Sequence, residues 1–198
     1  MVEEKEGYIR FNCRWIKSGQ ISFDELDETN KWRDKLYEIG LIGADNNGIG
    51  FGNISERIGN SHKFVISGSA TGNFASLTPQ HYSEVIDFDI EKNTLTCKGP
   101  IKASSESLSH GAVYMSDPEV RAVIHVHNKR LWKALLNKVP TTSKGAEFGT
   151  PEIALEIMRL FKDTDVRGKK IIVMGGHKDG IISFGKNLEE AGSVLLHY

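Results

Sequence analysis

The run Ala122-Val123-Ile124-His125-Val126-His127 constrains the fold more than any other stretch of the chain. It reads as a buried strand, and side chains two apart on a strand point to the same face. His125 and His127 therefore aim at one point. Glu106 lies upstream in Ser104-Ser105-Glu106, and His177 lies downstream in the glycine-bracketed turn Gly175-Gly176-His177. Three imidazoles and a carboxylate make a tetrahedral donor set suited to zinc, with an exchangeable position where the carboxylate moves away. Each residue alone has a plainer use. A His-x-His pair suits two hydrogen-bonded, partly buried imidazoles, Glu106 a solvated helix position and His177 an ordinary turn. Two histidines on one strand, with a third in a turn after another strand, point together to a catalytic metal.

Composition narrows the setting. At 198 residues the chain suits one domain, 1–198, with a substantial core. A net charge of -1 and a pI near 6.7 offer no field attractive to nucleic acid or to an anionic membrane surface. Two cysteines, Cys13 and Cys97, give no disulfide framework, so a reducing cytoplasm is the expected home. The segment Met1 to Arg10 is charged and has no apolar core of an export signal. No apolar run approaches membrane-spanning length, and no low-complexity tract marks a second domain.

Strands and helices alternate irregularly along the chain. Tyr8 to Trp15 alternates, with Ile9, Phe11, Cys13 and Trp15 on one side, as a half-buried strand does. Ser22 and Glu25 have the spacing of a capping box, opening a helix that ends near Gly40. A glycine-dense loop, Ala44 to Gly52, runs into a strand at Asn53. Phe64 to Ile66 is a short strand that stops at Ser67-Gly68, and Thr78-Pro79 starts one or two helical turns. Val85 to Ile90 and Thr94 to Cys97 form a hairpin. Ser107 to Met115 is helical with Glu106 at its N-terminal edge, and another helix passes through Trp132 to Leu136. Thr150-Pro151 opens a helix whose Ala154, Ile157, Met158 and Phe161 recur at helical spacing. Lys170 to Met174 and Gly180 to Phe184 are strands flanking the His177 turn, and Asn187 with Glu190 caps a further helix. Hairpins mixed with helices imply a mostly antiparallel sheet covered by helices.

These residues resemble the class II aldolase/adducin family, the group that holds L-fuculose-1-phosphate aldolase and L-ribulose-5-phosphate 4-epimerase. The resemblance rests on Gly52-Asn53-Ile54-Ser55 with Arg57, on Ser67-Gly68, and on Ser104-Ser105-Glu106 with His110 and Tyr114. It continues through the His125-His127 strand, Phe148-Gly149-Thr150, the His177 turn, Gly185 and Leu188-Glu189-Glu190-Ala191. It covers residue 22 onward and leaves 1–21 as an N-terminal extension with strand character. It implies a three-layer α/β/α sandwich with a mainly antiparallel central sheet, and a homotetramer with sites between subunits. It implies that His125, His127 and His177 hold a divalent metal, zinc or another such as manganese or cobalt. It implies that Glu106 is a fourth ligand without substrate and the acid/base with it. Asn53, Ser67, Gly68, Ser104 and Ser105 would then hold a substrate phosphate.

The chemistry of those residue types agrees. Breaking a carbon–carbon bond beside a carbonyl puts negative charge on oxygen, which a metal stabilises while a carboxylate moves the proton. Amide, hydroxyl and backbone N–H groups of tight turns hold phosphate without a Walker motif. The plainer alternatives are a strand-entry turn at Gly52-Asn53 and a helix cap at Ser104-Ser105. Glutamate at 106 leans toward a metal-dependent aldehyde-lyase acting on a sugar phosphate, because the epimerases carry aspartate there. Epimerase or dehydratase chemistry on a similar substrate is the sibling reading, and a non-catalytic adducin-like interaction module is the other class. Three departures stand out. Lys178 follows His177 where many members have glycine, which leaves the shape of that turn open. The segment between His127 and Phe148 is shorter than in the fuculose-phosphate enzyme and contains no tyrosine, and the chain stops at Tyr198 without that enzyme's extended tail. The remaining histidines, His62, His81 and His197, read as solvated, His110 as a structural hydrogen-bonding residue, and Trp15, Trp32 and Trp132 as core or interface aromatics.

Overall fold

The computed structural model describes residues 8–21 and 26–198; the segment before Tyr8 and the Ser22/Glu25 capping box lie outside the described residues. Three strands form the middle of an eight-stranded sheet: β4 (Asn53–Arg57), β8 (Ala122–His127) and β10 (Gly180–Gly185). They run antiparallel, with Asn53 opposite His125 on one side and Gly180 opposite His127 on the other. Beyond β4 lie β5 (Phe64–Ser67), β6 (Tyr82–Asp89), β7 (Thr94–Gly99) and β1 (Asn12–Lys17); beyond β10 lies β9 (Ile171–Val173). Every neighbouring pair is antiparallel except β1 with β7, which is parallel. The sheet is therefore mixed but mainly antiparallel, as expected, with the parallel entry of β1 the feature not foreseen. An edge strand entered from the N-terminus has no hairpin to fix its direction, and local patterning carries no information about it. A separate two-residue ladder, β2 (Gly43–Ala44) with β3 (Gly50–Phe51), occupies the glycine-dense loop.

Strand alternation divides the core. Val123, Ile172, Ile182 and Phe184 pack with α2 (Ser107–Ser116), α4 (Pro151–Asp163) and α5 (Val166–Lys169). Ala122, Ile124, Val126, Ile171, Val173 and Ile181 pack with α1 (Asp27–Glu38), α3 (Lys129–Leu135) and α6 (Leu188–His197). Each such fully buried aliphatic side chain contributes about 1.5–3 kcal/mol relative to exposure. Being odd-numbered like Val123, His125 and His127 fall on the face that carries α2, and so on the face that carries Glu106.

Local chemistry accounts for most boundaries. Pro151 occupies the first turn of α4, whose Ile153, Ala154, Ile157, Leu160 and Phe161 form its buried stripe. The Asn128 and Asn187 side chains accept the N–H of Leu131 and Glu190 at the starts of α3 and α6. Gly40, with φ of 72°, closes the turn after α1. Ile9, Phe11, Cys13 and Trp15 share one side as read from their alternation, although the ladder begins only at Asn12. Thr78-Pro79 yields a single 3-10 turn over Pro79–His81, and α3 ends one residue before Leu136. The one-turn α5 carries too few residues to show a period, and it escaped the sequence reading.

Arg57 at the end of β4 ties the elements behind the site together. Its guanidinium donates to the carbonyls of Val120 (2.7 Å), Ser61 (3.1 Å), Tyr114 (2.6 Å) and Asp117 (2.8 Å), and it lies over the Tyr114 ring. Two of those carbonyls belong to the C-terminal end of α2, where positive charge is favourable. An Arg57→Met variant keeps the length but leaves buried carbonyls without a donor. We expect it to lose about 2–4 kcal/mol of stability, measured as a lower urea midpoint with unchanged slope.

Candidate metal centre

His125 and His127 project from β8 with their Nε2 atoms 3.0 Å apart. The His125 Nδ1 lies 3.2 Å from the Ile181 carbonyl on β10. A carbonyl can only accept, so Nδ1 carries the proton and Nε2 presents its lone pair to the centre. His177 arrives from the turn between β9 and β10. That turn admits only glycine before it, because a Cβ at Gly175 would enter the Thr142 carbonyl oxygen and one at Gly176 the Ala146 carbonyl oxygen. Gly180 is tight to a lesser degree: its Cβ would stand 3.2 Å from both His125 Cε1 and His177 Cγ. Lys178 is accommodated because the left-handed residue of this turn is Asp179, at φ of 66°. Behind the turn, the Trp132 indole donates to the Met174 carbonyl at 2.9 Å, a supporting role that reading it as a core aromatic did not anticipate.

The nitrogens offered by His125, His127 and His177 all lie within 4.8 Å of one another. A tetrahedral ion with bonds of about 2.0–2.1 Å spaces its donors about 3.4 Å apart, so small ring rotations close the set. Glu106, at the N-cap of α2, completes the cluster: its Oε1 lies 3.4 Å from His177 Nδ1, and its Oε2 accepts from the Ser109 hydroxyl at 2.8 Å. Burial acts to raise the Glu106 pKa, but hydrogen bonding and attraction from His177, the His125 ring and the Ser109 hydroxyl outweigh it. The carboxyl is held at about 2. Its Oε1 is buried with no hydrogen-bond partner among the described residues. An orphaned, ionised carboxylate oxygen beside three imidazoles is what a divalent cation would satisfy, and the donor set fits one.

A narrow recess opens beside this cluster, lined by Asn53, Gly68, Ser104 and Ser105 together with Glu106 and His125. Asn53 is brought there by its pairing with His125, and Gly68 by a bridge to Ala103. Ser67 does not line the recess, and its hydroxyl instead accepts the Ile54 N–H at 3.2 Å. Ser104 Oγ accepts the Glu106 N–H at 3.3 Å in the turn before α2; it is not the helix cap named as its plainer alternative, since Glu106 itself is the N-cap and has no side-chain cap hydrogen bond. The lining also includes Phe51, Ala70, Thr71 and Gly72, which the sequence reading missed. Ala70 sits at φ of 59°, a strained setting for a residue with a Cβ. Arg33 of α1 holds this loop, donating to the carbonyls of Thr71, Gly72 and Ala75. Such a buried arginine gives no periodic signal in the sequence.

Aromatic rings flank the imidazoles. Phe51 lies 5.3 Å from His127 and Phe148 lies 4.8 Å from His177 between ring centroids. The Arg10 guanidinium covers the outer face of Phe148 at 4.4 Å and pairs with Glu147 at 3.0 Å. The N-terminal extension thus reaches the metal site. His110 is structural, as read: its Nδ1 lies 2.7 Å from Ser55 Oγ, which in turn lies 2.8 Å from the Tyr114 hydroxyl. Burial drives its pKa down to about 3, so the ring stays neutral. His81 is exposed to a lesser degree than expected of a solvated residue and accepts the Thr78 N–H at 2.9 Å, whereas His62 and His197 face solvent.

The family model for the class II aldolase and adducin N-terminal domain matches residues 43–197. The chain belongs to the class II aldolase/adducin family. Members of this family typically depend on a divalent metal, and the three histidines provide for one. The fold is shared with solved structures at low identity. An L-fuculose 1-phosphate aldolase superposes with a TM-score of 0.66 at 20% identity, covering 89% of this chain and 82% of that one. A sugar-phosphate aldolase from Thermotoga maritima gives 0.64 at 18%, covering 87% and 90%. YgbL from Escherichia coli, whose description leaves aldolase, epimerase and decarboxylase open, gives 0.62 at 18%, covering 88% and 84%. No curated protein matches the chain. Among the described residues no helix is long and apolar enough to cross a membrane.

Elemental analysis should find about one divalent ion per chain in protein purified without chelators. The His125/His127/His177→Ala triple variant should contain none; full metal in that variant would refute the ligand assignment.

Proposed function

We propose that this chain is a cytoplasmic, zinc-dependent aldehyde-lyase that cleaves a ketose phosphate, fuculose 1-phosphate-like, into dihydroxyacetone phosphate and an aldehyde. The observation that carries the reading is the buried, ionised Glu106 carboxylate, whose Oε1 makes no hydrogen bond and faces His177 Nδ1 at 3.4 Å, set among three converging histidines and beside a recess of amide, hydroxyl and glycine groups. Membership of the family and the fold shared with sugar-phosphate aldolases support it. The helices on both faces of the sheet suit the three-layer α/β/α arrangement, with residues 1–198 acting as one catalytic unit.

A divalent ion held by His125, His127 and His177, zinc by preference with manganese or cobalt as substitutes, supplies Lewis-acid stabilisation of the oxygen charge that develops as the carbon–carbon bond breaks. The chain's own groups do the rest. Asn53, Gly68, Ser104 and Ser105 bind the phosphate, with Ser67 holding the Ile54 backbone in place behind them. Fixing the phosphate positions the reacting carbons, so binding energy remote from the chemistry is expressed as rate. Glu106 accepts or returns the proton at the enediolate carbon through Oε1, the oxygen that the Ser109 hydroxyl does not engage. Its position at the start of α2 favours the ionised form that a base needs. The same groups would serve an epimerase or dehydratase acting on a related sugar phosphate. The open description of YgbL and the absence of tyrosine between His127 and Phe148 favour keeping that second reading.

The deciding experiment is a panel of sugar phosphates assayed for dihydroxyacetone phosphate release by metal-replete protein. Cleavage of a ketose 1-phosphate is the expected result; epimerisation or dehydration without cleavage would transfer the assignment to the sibling chemistry. Glu106→Gln keeps the shape but cannot carry the proton, so turnover should fall by about a hundred- to ten-thousand-fold while a phosphate-bearing inhibitor still binds. Asn53→Ala should raise KM for phosphorylated substrates and leave the slow reaction of unphosphorylated ketoses nearly unchanged. The active form should be a homotetramer; light scattering of a fully active monomer at assay concentration would count against it.

A further inference from the structure

Cys13 and Cys97 were read as two cysteines of a reducing compartment with no partner to form a framework, yet the fold brings them together. They lie on the neighbouring parallel strands β1 and β7, with Cys13 opposite Leu95 and Cys97 opposite Trp15, one diagonal step apart. Their sulfurs stand 3.8 Å apart. Both are free thiols; Cys97 is fully buried and Cys13 is partly exposed. Forming the roughly 2.05 Å bond of a disulfide takes rotation of both side chains together with a shift of β1, which is an edge strand. We propose that Cys13 and Cys97 form a reactive dithiol that closes to a disulfide by exchange with a small-molecule disulfide, fastening β1 to the sheet.

The route follows from their unequal exposure. The partly exposed Cys13 passes its proton to the Cys97 sulfur it is hydrogen-bonded to, attacks a sulfur of the incoming disulfide, forms a mixed disulfide and expels one thiolate. Cys97, as thiolate, then attacks the Cys13 sulfur, forming the Cys13–Cys97 bond and expelling the second thiolate. Two protein thiols are oxidised, one external disulfide is reduced to two thiols, and the two protons leave to solvent. Cys97 is suited to the resolving step. In the dithiol the hydrogen bond from Cys13 lowers its pKa against the opposing effect of burial; once Cys13 is a mixed disulfide that bond is gone, and the Ala103 N–H, the Ser83 hydroxyl and the charge of Lys102 still favour its thiolate. Cys13 is raised by the same hydrogen bond, as expected where two thiols share one proton.

The consequence reaches the candidate metal centre, because Arg10, two residues before β1, lies over the Phe148 ring, which in turn packs on His177. A covalent link between β1 and β7 closes a long loop of the unfolded chain and holds the Arg10 segment in place.

The test is incubation of the folded, full-length protein with oxidised glutathione at neutral pH, followed by intact-mass measurement and peptide mapping. The expected product has lost two hydrogen atoms and yields a Cys13–Cys97 cross-linked peptide, and its Tm rises by about 5–10 °C. The Cys97→Ser variant should stop at a glutathione adduct on Cys13, and the Cys13→Ser variant should not react. Stable glutathione adducts on the wild-type protein, or two free thiols after equilibration, would overturn the proposal. Neither result bears on whether the protein cleaves a sugar phosphate, which the substrate panel decides separately.

Discussion

The antiparallel pairing of β4, β8 and β10 is the constraint on which the site depends. Its register places Asn53 beside His125 and Gly180 beside His127, so the Asn53 amide and two imidazoles share one end of the sheet. A slip of one residue would turn both histidines toward the hydrophobic face under α1 and α6, where no acceptor or ligand awaits them. The backbone ladder also sets the chemistry of a ligand directly, since the Ile181 carbonyl of β10 takes the His125 Nδ1 proton. Sheet register and imidazole tautomer are thus one specification.

Charge is handled with the same economy of parts. Buried arginines serve carbonyls more than carboxylates: Arg57 gathers the end of α2, and Arg33 gathers the loop over the recess. Each spreads a positive charge over several dipoles, which a lysine with a single point of charge could not do. Opposite them stands Glu106, held ionised by neighbouring imidazoles in spite of complete burial. The carboxylate is kept ionised by its surroundings, while the arginines tie those surroundings together.

Much of this was legible in the sequence because it is local. The His125-Val126-His127 spacing on an apolar run, the glycines before His177 and the serines before Glu106 are short-range statements about backbone and face. The strand order was not legible, since no local pattern says that β7 lies between β1 and β6. The parallel entry of β1 is invisible for the same reason. The supporting contacts also escaped: Arg10 over Phe148, Trp132 on the Met174 carbonyl and Arg33 on the Thr71 loop each join residues far apart in sequence. Ser67 shows the reverse case, where a motif residue spends its hydroxyl on the backbone beside it.

The turn bearing His177 lies between β9 and β10, and β10 enters the sheet by inserting beside β8. A chain emerging from the ribosome therefore displays His125 and His127 long before their third companion exists. Until β10 arrives, the pair has neither its fixed tautomer nor its closed geometry, and any cation it meets is held by two donors alone. A cation centre at these histidines would therefore gain its selectivity only at the closing of the β9–β10 hairpin, coupling ligand capture to folding of the sheet.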